Sequence, residues 1–272
     1  MSFSNLMRHG FPEGMSPPAS LNALCDRIRQ IEQPARHGVV PFGVAAIDRA
    51  LPEGGLALGA VHEILGQGGD EEDGAAAAGF IAGILARLGA GPVLWCLPRP
   101  DLHGPGLLAH GLDPARLVLV CAKRDDELLW AMEEGLRTPG LAAVVGEIGR
   151  LPMVAGRRLQ LAAERSGVTA FVLRRWRNGA EALAERERPS AALTRWRVAV
   201  LPSSDINIPG IGLPCWRVEL VRCRGGAPAA WEVEVADATG HVSLSAGLAD
   251  RPAAPHGRKT GRVEAEPFRR AG

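Results

Sequence analysis

The sequence predicts an α/β protein with a mainly parallel sheet, helices on both faces and an antiparallel C-terminal extension. Three observations predict it. Short apolar runs recur from residue 60 to 175, and such runs suit strands buried on both faces of a parallel sheet. Between them lie stretches with helical periodicity, and strand–helix–strand alternation makes parallel pairing the natural outcome. After Arg188 apolar and polar residues alternate with period two, as in strands that face a core on one side.

Residues 1–39 read as a leader carrying one amphipathic helix. In "SPPASLNALCDRIRQIE", Leu21, Leu24, Ile28 and Ile31 share one stripe, with Ser16 or Ser20 available as a cap. That stripe fits the chain's own core, another subunit or a partner. From residue 40 the elements follow in order: strand 60–66, helix 75–88, strand 92–97, a short helix near 105–110 and strand 116–122. Then come helix 126–137, strand 141–148, helix 154–167 and strand 168–175. "TRWRVAVLP", "CWRVELVRC" and "AWEVEVADATGHVSLS" supply the alternating extension, the last two joined by the turn-prone "RGGAPA". Residues 40–250 form the core in this reading. Residues 251–272, basic and proline-rich, form a disordered tail.

The 272 residues are 46% hydrophobic and 22% charged, enough to bury a sizeable core. All of the 31 basic residues except Lys123 and Lys259 are arginine, a bias that lowers the weight of any single arginine patch. Five scattered cysteines signal neither a disulfide framework nor a zinc site. Dispersed histidines, no G-x-S-x-G elbow and no cysteine beside a histidine exclude the common nucleophilic sites. No targeting segment or apolar run of about 18 residues is present, so a cytoplasmic protein without membrane contact is expected.

The most informative stretch is "EILGQGGDEEDGAAAAG", residues 63–79. It has the strand, glycine turn and helix of a phosphate-binding loop, in which backbone N–H groups, a lysine and a magnesium-binding hydroxyl hold phosphates. Gly66, Gly68, Gly69 and Gly74 are in place. Ala75 and Ala76 stand where the lysine and hydroxyl belong, and no lysine precedes Lys123. Asp70, Glu71, Glu72 and Asp73 worsen matters, because like charges 4 Å apart repel by about 1 kcal/mol in water and about 4 near a protein surface. The expectation is a solvated acidic turn that opens an alanine-rich helix, with no cofactor and no metal.

Downstream, Arg174, Arg175, Arg177, Arg186, Arg188, Arg195 and Arg197 cluster with Trp176 and Trp196. Arginine for phosphate and tryptophan for stacking is a nucleic-acid chemistry. The same residues also read as a protein-partner surface or a charged solvated face, and the sequence leaves the three open.

"VPFGVAAIDRALPEGGLALGAVHEILG", residues 40–66, resembles the lead-in to the RecA recombinase core. Gly43, Ile47, Asp48, Leu51, Gly54, Gly55, Leu56, Gly59, Glu63, Ile64 and Gly66 carry the resemblance. With its degenerate loop and arginine-rich middle, the chain resembles the ImuA family, RecA-related accessory proteins of bacterial mutagenesis cassettes. The resemblance implies a RecA-like core without hydrolysis. Arg99 falls where a catalytic glutamate would stand, and Gly146 takes the place of a strand-end aspartate, with Glu147 beside it. The implied role is an adaptor in DNA damage tolerance, acting with an ImuB-type polymerase homologue and an error-prone replicative polymerase subunit. RecA and single-stranded DNA are further implied contacts. Two other readings compete: a SulA-like cell-division inhibitor, also RecA-like, and a RecA-like ATP-dependent DNA-binding protein.

Overall fold

The computed structural model describes residues 37–176, 179–186, 188–203 and 213–245. The predicted helix bearing Leu21, Leu24, Ile28 and Ile31, the residue Arg177 and the tail from 251 lie outside the described residues. The same holds for the side chain of Arg186.

The lead-in builds a small pillar beside the main sheet. Strand β1 (Val39–Val40) pairs antiparallel with β2 (Leu56–Ala57), and the short helix α1 (Ala45–Asp48) lies between them in sequence. The Asp48 carboxylate accepts from the backbone N–H groups of Phe42 (2.6 Å) and Gly43 (3.1 Å), tying the turn to α1. Phe42, Ile47, Leu51 and Leu56 are buried in the core. Gly55 is required, because a Cβ there would lie 2.8 Å from the carbonyl of Val40. The residues that carry the family resemblance here are therefore those that pack this pillar.

The main sheet has nine strands in the order β11-β10-β9-β8-β3-β7-β6-β4-β5. They are β3 (Val61–Gly66), β4 (Val93–Leu97), β5 (Leu117–Cys121), β6 (Ala143–Ile148), β7 (Thr169–Arg174), β8 (Thr194–Leu201), β9 (Cys215–Cys223), β10 (Ala229–Glu234) and β11 (Ser243–Leu244). Strands β5, β4, β6, β7, β3 and β8 pair parallel, whereas β9, β10 and β11 continue antiparallel. The period-two segment "TRWRVAVLP" lies at the boundary of the two parts, parallel to β3 on one side and antiparallel to β9 on the other. It forms β8, the last parallel strand, covered on both faces where it borders β3.

Helices α2 (Asp70–Arg87) and α3 (Gly104–Ala109) follow β3 and β4, while α4 (Asp125–Arg137), α5 (Met153–Ser166) and α6 (Gly179–Arg186) follow β5, β6 and β7. One face of the sheet packs Trp95, Val145, Phe171 and Trp196 against Ala77, Phe80, Ile81 and Leu85 of α2. The other packs Cys96, Val144, Ala170 and Val172 against Leu128, Met132 and Leu136 of α4 and Leu159 and Ala163 of α5. Both faces of the parallel part are covered except at the edge strand β5, whose Val118 and Leu119 are half-exposed, so the inner strands read as near-continuous apolar runs. Helix α2 begins at Asp70 rather than Ala75, which puts all four acidic residues in its first turn, where carboxylates suit the positive end of the helix dipole.

Candidate functional site

At the carboxyl ends of the parallel strands, where open α/β sheets place their ligands, lies a cleft of about 880 Å³ bordered by Asp70, Arg99, Lys123, Glu147, Arg150 and Arg175. Its charges are organised around Arg175, which follows β7. Nη2 lies 2.7 Å from Asp70 Oδ2 and 3.2 Å from Asp101 Oδ2, and Nη1 lies 2.6 Å from Glu147 Oε2. Trp95 Nε1 donates to the other oxygen of Glu147 at 2.8 Å. Arg99 reaches Asp70 at 3.4 Å and Asp101 at 3.3 Å. Three carboxylates therefore converge on one guanidinium. Among the described residues no group of three histidines, cysteines or carboxylates is arranged to hold a metal ion.

Burial works against the charge of Arg175, but the hydrogen bond with Asp70 and the fields of Glu147 and Asp70 outweigh it and hold the guanidinium protonated more firmly than usual. Burial pushes Glu147 above the ordinary carboxyl range, with Arg175 and Trp95 drawing it back part of the way. Glu147 of β6 is thus tied to a tryptophan and an arginine.

The glycine turn is closed from within. Gln67 N–H donates to Val198 O at 3.0 Å, and Gly68 N–H donates to Asp73 Oδ2 at 2.7 Å. The second oxygen of Asp73 accepts from Val200 N–H at 2.9 Å. A carboxylate from the first turn of α2 therefore occupies an amide that a phosphate loop would offer to its ligand. Gly66 is required by this arrangement, since a Cβ there would lie 2.9 Å from the Cβ of Asp73. The expected solvated acidic turn is not what forms: Asp73 is buried and Asp70 is largely enclosed by its arginine partners. Ala75 is exposed and Ala76 is packed into the core, so neither faces the cleft as a lysine or hydroxyl should. Gly74 lies under Asp70. Gly146 faces α4, where Met132 presses on it, and Glu147 turns to the cleft instead.

The arginine cluster is divided by the fold. Arg174 and Arg195 are buried on either side of Glu63, which is itself fully buried. Arg174 Nη1 lies 2.6 Å from Oε1 and Arg195 Nε lies 2.9 Å from Oε2. Arg174 also reaches Glu185 at 3.1 Å and Gly149 O at 2.8 Å. Burial disfavours the charge of Glu63, yet Arg195 and Arg174 hold its carboxyl below the usual range. Trp176 is buried with its Nε1 donating to Gly149 O, and Trp196 lies in the aromatic core with Phe42 and Phe80. Arg197 pairs with Glu219 at 3.5 Å, and Arg188, more exposed, pairs with Glu185 at 3.0 Å. Arg174, Arg195, Trp176 and Trp196 thus hold the sheet together rather than presenting a surface. The exposed cations at the rim of the cleft are Arg99, Lys123 and Arg150. The sequence did not single out Lys123, Arg150 or Asp101 for this site. Each sits just past the end of a different strand, and only strand order brings them together.

No helix among the described residues is long and apolar enough to cross a membrane. No protein-family model matches the chain. The chain is 43% identical over 239 residues to Protein ImuA of Caulobacter vibrioides strain NA1000 / CB15N, an overlap covering 82% of this chain and 96% of that protein. Protein ImuA of Caulobacter vibrioides strain ATCC 19089 / CIP 103742 / CB 15 matches with the same identity and coverage. The pillar that carried the resemblance, the filled glycine turn and this near full-length identity lead to one conclusion: the chain belongs to the ImuA family.

Proposed function

We propose that this protein is a non-hydrolysing adaptor with a RecA-like core that acts in DNA damage tolerance. It assembles with an ImuB-type polymerase homologue and an error-prone replicative polymerase subunit for translesion synthesis. The observation that carries this reading is the glycine turn occupied by the protein's own side chains. To seat a triphosphate, the turn would have to give up Asp73 on the Gly68 and Val200 amides and part Asp70 from Arg175, in exchange for a ligand repelled by both carboxylates. Both exchanges count against the roughly 8 kcal/mol that micromolar affinity represents. The strand, glycine turn and 18-residue helix α2 at the centre of the sheet support the RecA-like reading of the core. The rim cations Arg99, Lys123 and Arg150 offer the exposed positive charge for partner or DNA contact.

Calorimetric titration with ATP and magnesium tests the first half: no saturable binding is expected at micromolar ligand, and DNA-stimulated phosphate release would overturn the reading. Reconstitution tests the second half. The polymerase homologue and the replicative subunit should form a complex more readily when this protein is present, and equal assembly without it would remove the adaptor role.

A further inference from the structure

The outer face of α4 and α5 is apolar at three exposed positions. Trp130 on α4 is 65% exposed, and Val154 and Leu161 on α5 are 71% and 53% exposed. Trp130 lies two residues from both Leu128 and Met132, which are buried against the sheet, and Leu161 lies two residues from the buried Leu159 and Ala163. At about 100° per residue, each therefore stands on the side of its helix turned away from the sheet. Val154, seven residues before Leu161, falls on the same stripe. An exposed tryptophan grouped with two exposed aliphatic side chains is the kind of patch that marks a contact.

Charge on this face is sorted by helix. Helix α4 contributes the exposed acids Glu127 and Glu134, one turn before and one turn after Trp130, with Arg137 paired to Glu134 at 2.7 Å. Its other exposed acids, Asp125 and Asp126, lie at the end nearest the cleft, where Asp126 is held by Arg124 at 2.6 Å. Helix α5 contributes the exposed bases Arg157, Arg158 and Arg165, while its one acid, Glu164, is half-buried and accepts from Gln160 at 2.8 Å. Within the chain this pairing already joins the two helices, since Arg158 of α5 and Arg137 of α4 both bind the buried Glu133 of α4. The bridge also sets their levels. Both helices return from the carboxyl ends of parallel strands, so they run side by side in one direction with Glu133 opposite Arg158. Trp130 then stands level with Val154, and Glu134 stands level with Arg158 and just past Arg157.

A partner of one sign matches only half of this face, whereas a second copy matches both halves. Turning a copy by 180° about an axis that runs between α4 and α5, parallel to both, lays α4 of each copy on α5 of the other without changing the levels. Trp130 then meets Val154 of the other copy and Glu134 meets Arg157, and each contact occurs twice. We infer that the α4–α5 face is a two-fold interface with a second copy of this chain, closed at two subunits. Apolar groups meet apolar groups at its centre, and acid meets base around them.

Sedimentation equilibrium of the full chain tests this. The parent should have the mass of two chains at micromolar concentration. Arg157→Glu sets acid against acid at both symmetry-related contacts and Glu134→Arg sets base against base, so each variant alone should dimerise more weakly by about tenfold or more. An equimolar mixture of the two should recover the dimer, because every contact between unlike copies then joins an acid to a base. Recovery also shows that both variants are folded. Trp130→Ala should weaken association as well. A parent that sediments as a single chain overturns the proposal, as do charge variants that dimerise like the parent or whose mixture stays monomeric. A mass that keeps rising with concentration also overturns it, since a two-fold face closes at two.

Discussion

His62 and Glu63 are consecutive residues of β3, and their side chains point to opposite faces of the sheet. His62 is wholly buried; Nε2 donates to Ala57 O at 2.8 Å, and Nδ1, 2.7 Å from Thr194 Oγ1, accepts from that hydroxyl, which in turn accepts from Trp196 Nε1. Only the neutral ring satisfies this chain. Burial lowers its pKa to about 4, against the weaker opposing effect of the Ala57 bond. The unfolded chain takes up a proton near pH 6.5 and the folded one near 4, so stability should fall as pH drops across that window, by about 3 kcal/mol for this group alone. Urea unfolding between pH 7 and 4 should show the slope, and His62→Gln should flatten it. Glu63 acts lower down: its folded pKa is depressed, so its contribution is present above the ordinary carboxyl range and lost below it. Glu147, shifted upward, works in the opposite direction, since stability gains as pH falls through its raised value to the ordinary carboxyl range. Glu63→Gln leaves Arg174 and Arg195 buried with half their compensation and should cost about 3–5 kcal/mol at neutral pH, measured by the same unfolding. Of these roles the sequence disclosed only that Glu63 matched a family position. The pairing of Glu63 with arginines 111 and 132 residues away depends on β3 lying between β7 and β8.

At the scale of elements, β6 and α4 meet across Gly146, and Met132 lies where any side chain at that position would go. The glycine at this position of β6 is therefore a packing feature. Gly146→Asp should not restore a metal or water ligand; it should displace α4 and bury an unpaired carboxylate, destabilising by about 3 kcal/mol or more. Gly146→Ala isolates the steric part and should cost about 1–3 kcal/mol. Chemical denaturation of both variants checks the order. Strands β3, β4, β6 and β7 were legible because both of their faces are covered, which leaves a mainly apolar run in each; β5, at the sheet edge with Val118 and Leu119 half-exposed, is apolar without that cover. Strand β8 was less so. Its two sides differ in direction of pairing, parallel to β3 and antiparallel to β9, while its alternation comes from Arg195 and Arg197, which pair with Glu63 and Glu219 across the sheet from the buried Trp196 and Val198. The start of α2 was placed late because the four acids look like a loop when read alone. Their fit to a helix N-terminus, and to Arg175 and the Gly68 amide, is a tertiary matter. Likewise, arginine density could not tell an exposed face from a buried ion-pair network, since the residue types are the same and only the partners differ.

For the molecule as a whole, the proposed RecA-like reading divides into two cases, a site that has merely lost its ligand groups and a site rebuilt without them. Loss alone predicts that returning the groups returns the activity. Rebuilding predicts that it does not, because Ala75 points to solvent, Ala76 belongs to the core, and Asp73 holds the glycine turn. The decisive variant is Ala75→Lys with Ala76→Ser. A lysine at 75 would extend into water, where Asp70, already bound to Arg175, gives it little reason to fold back. A serine at 76 would bury a hydroxyl among Phe80 and its neighbours and cost about 1–3 kcal/mol. The double variant should therefore unfold at lower denaturant than the parent and still show no saturable ATP binding at micromolar ligand. Magnesium should make no difference, since the guanidinium of Arg175 occupies the point where Asp70, Asp101 and Glu147 converge. Binding with unchanged stability would mean that the turn opens readily and that its internal ion pairs are incidental. Absence of binding together with the loss of stability would mean that the fold has converted a ligand site into a structural joint, leaving its outer surfaces free for assembly.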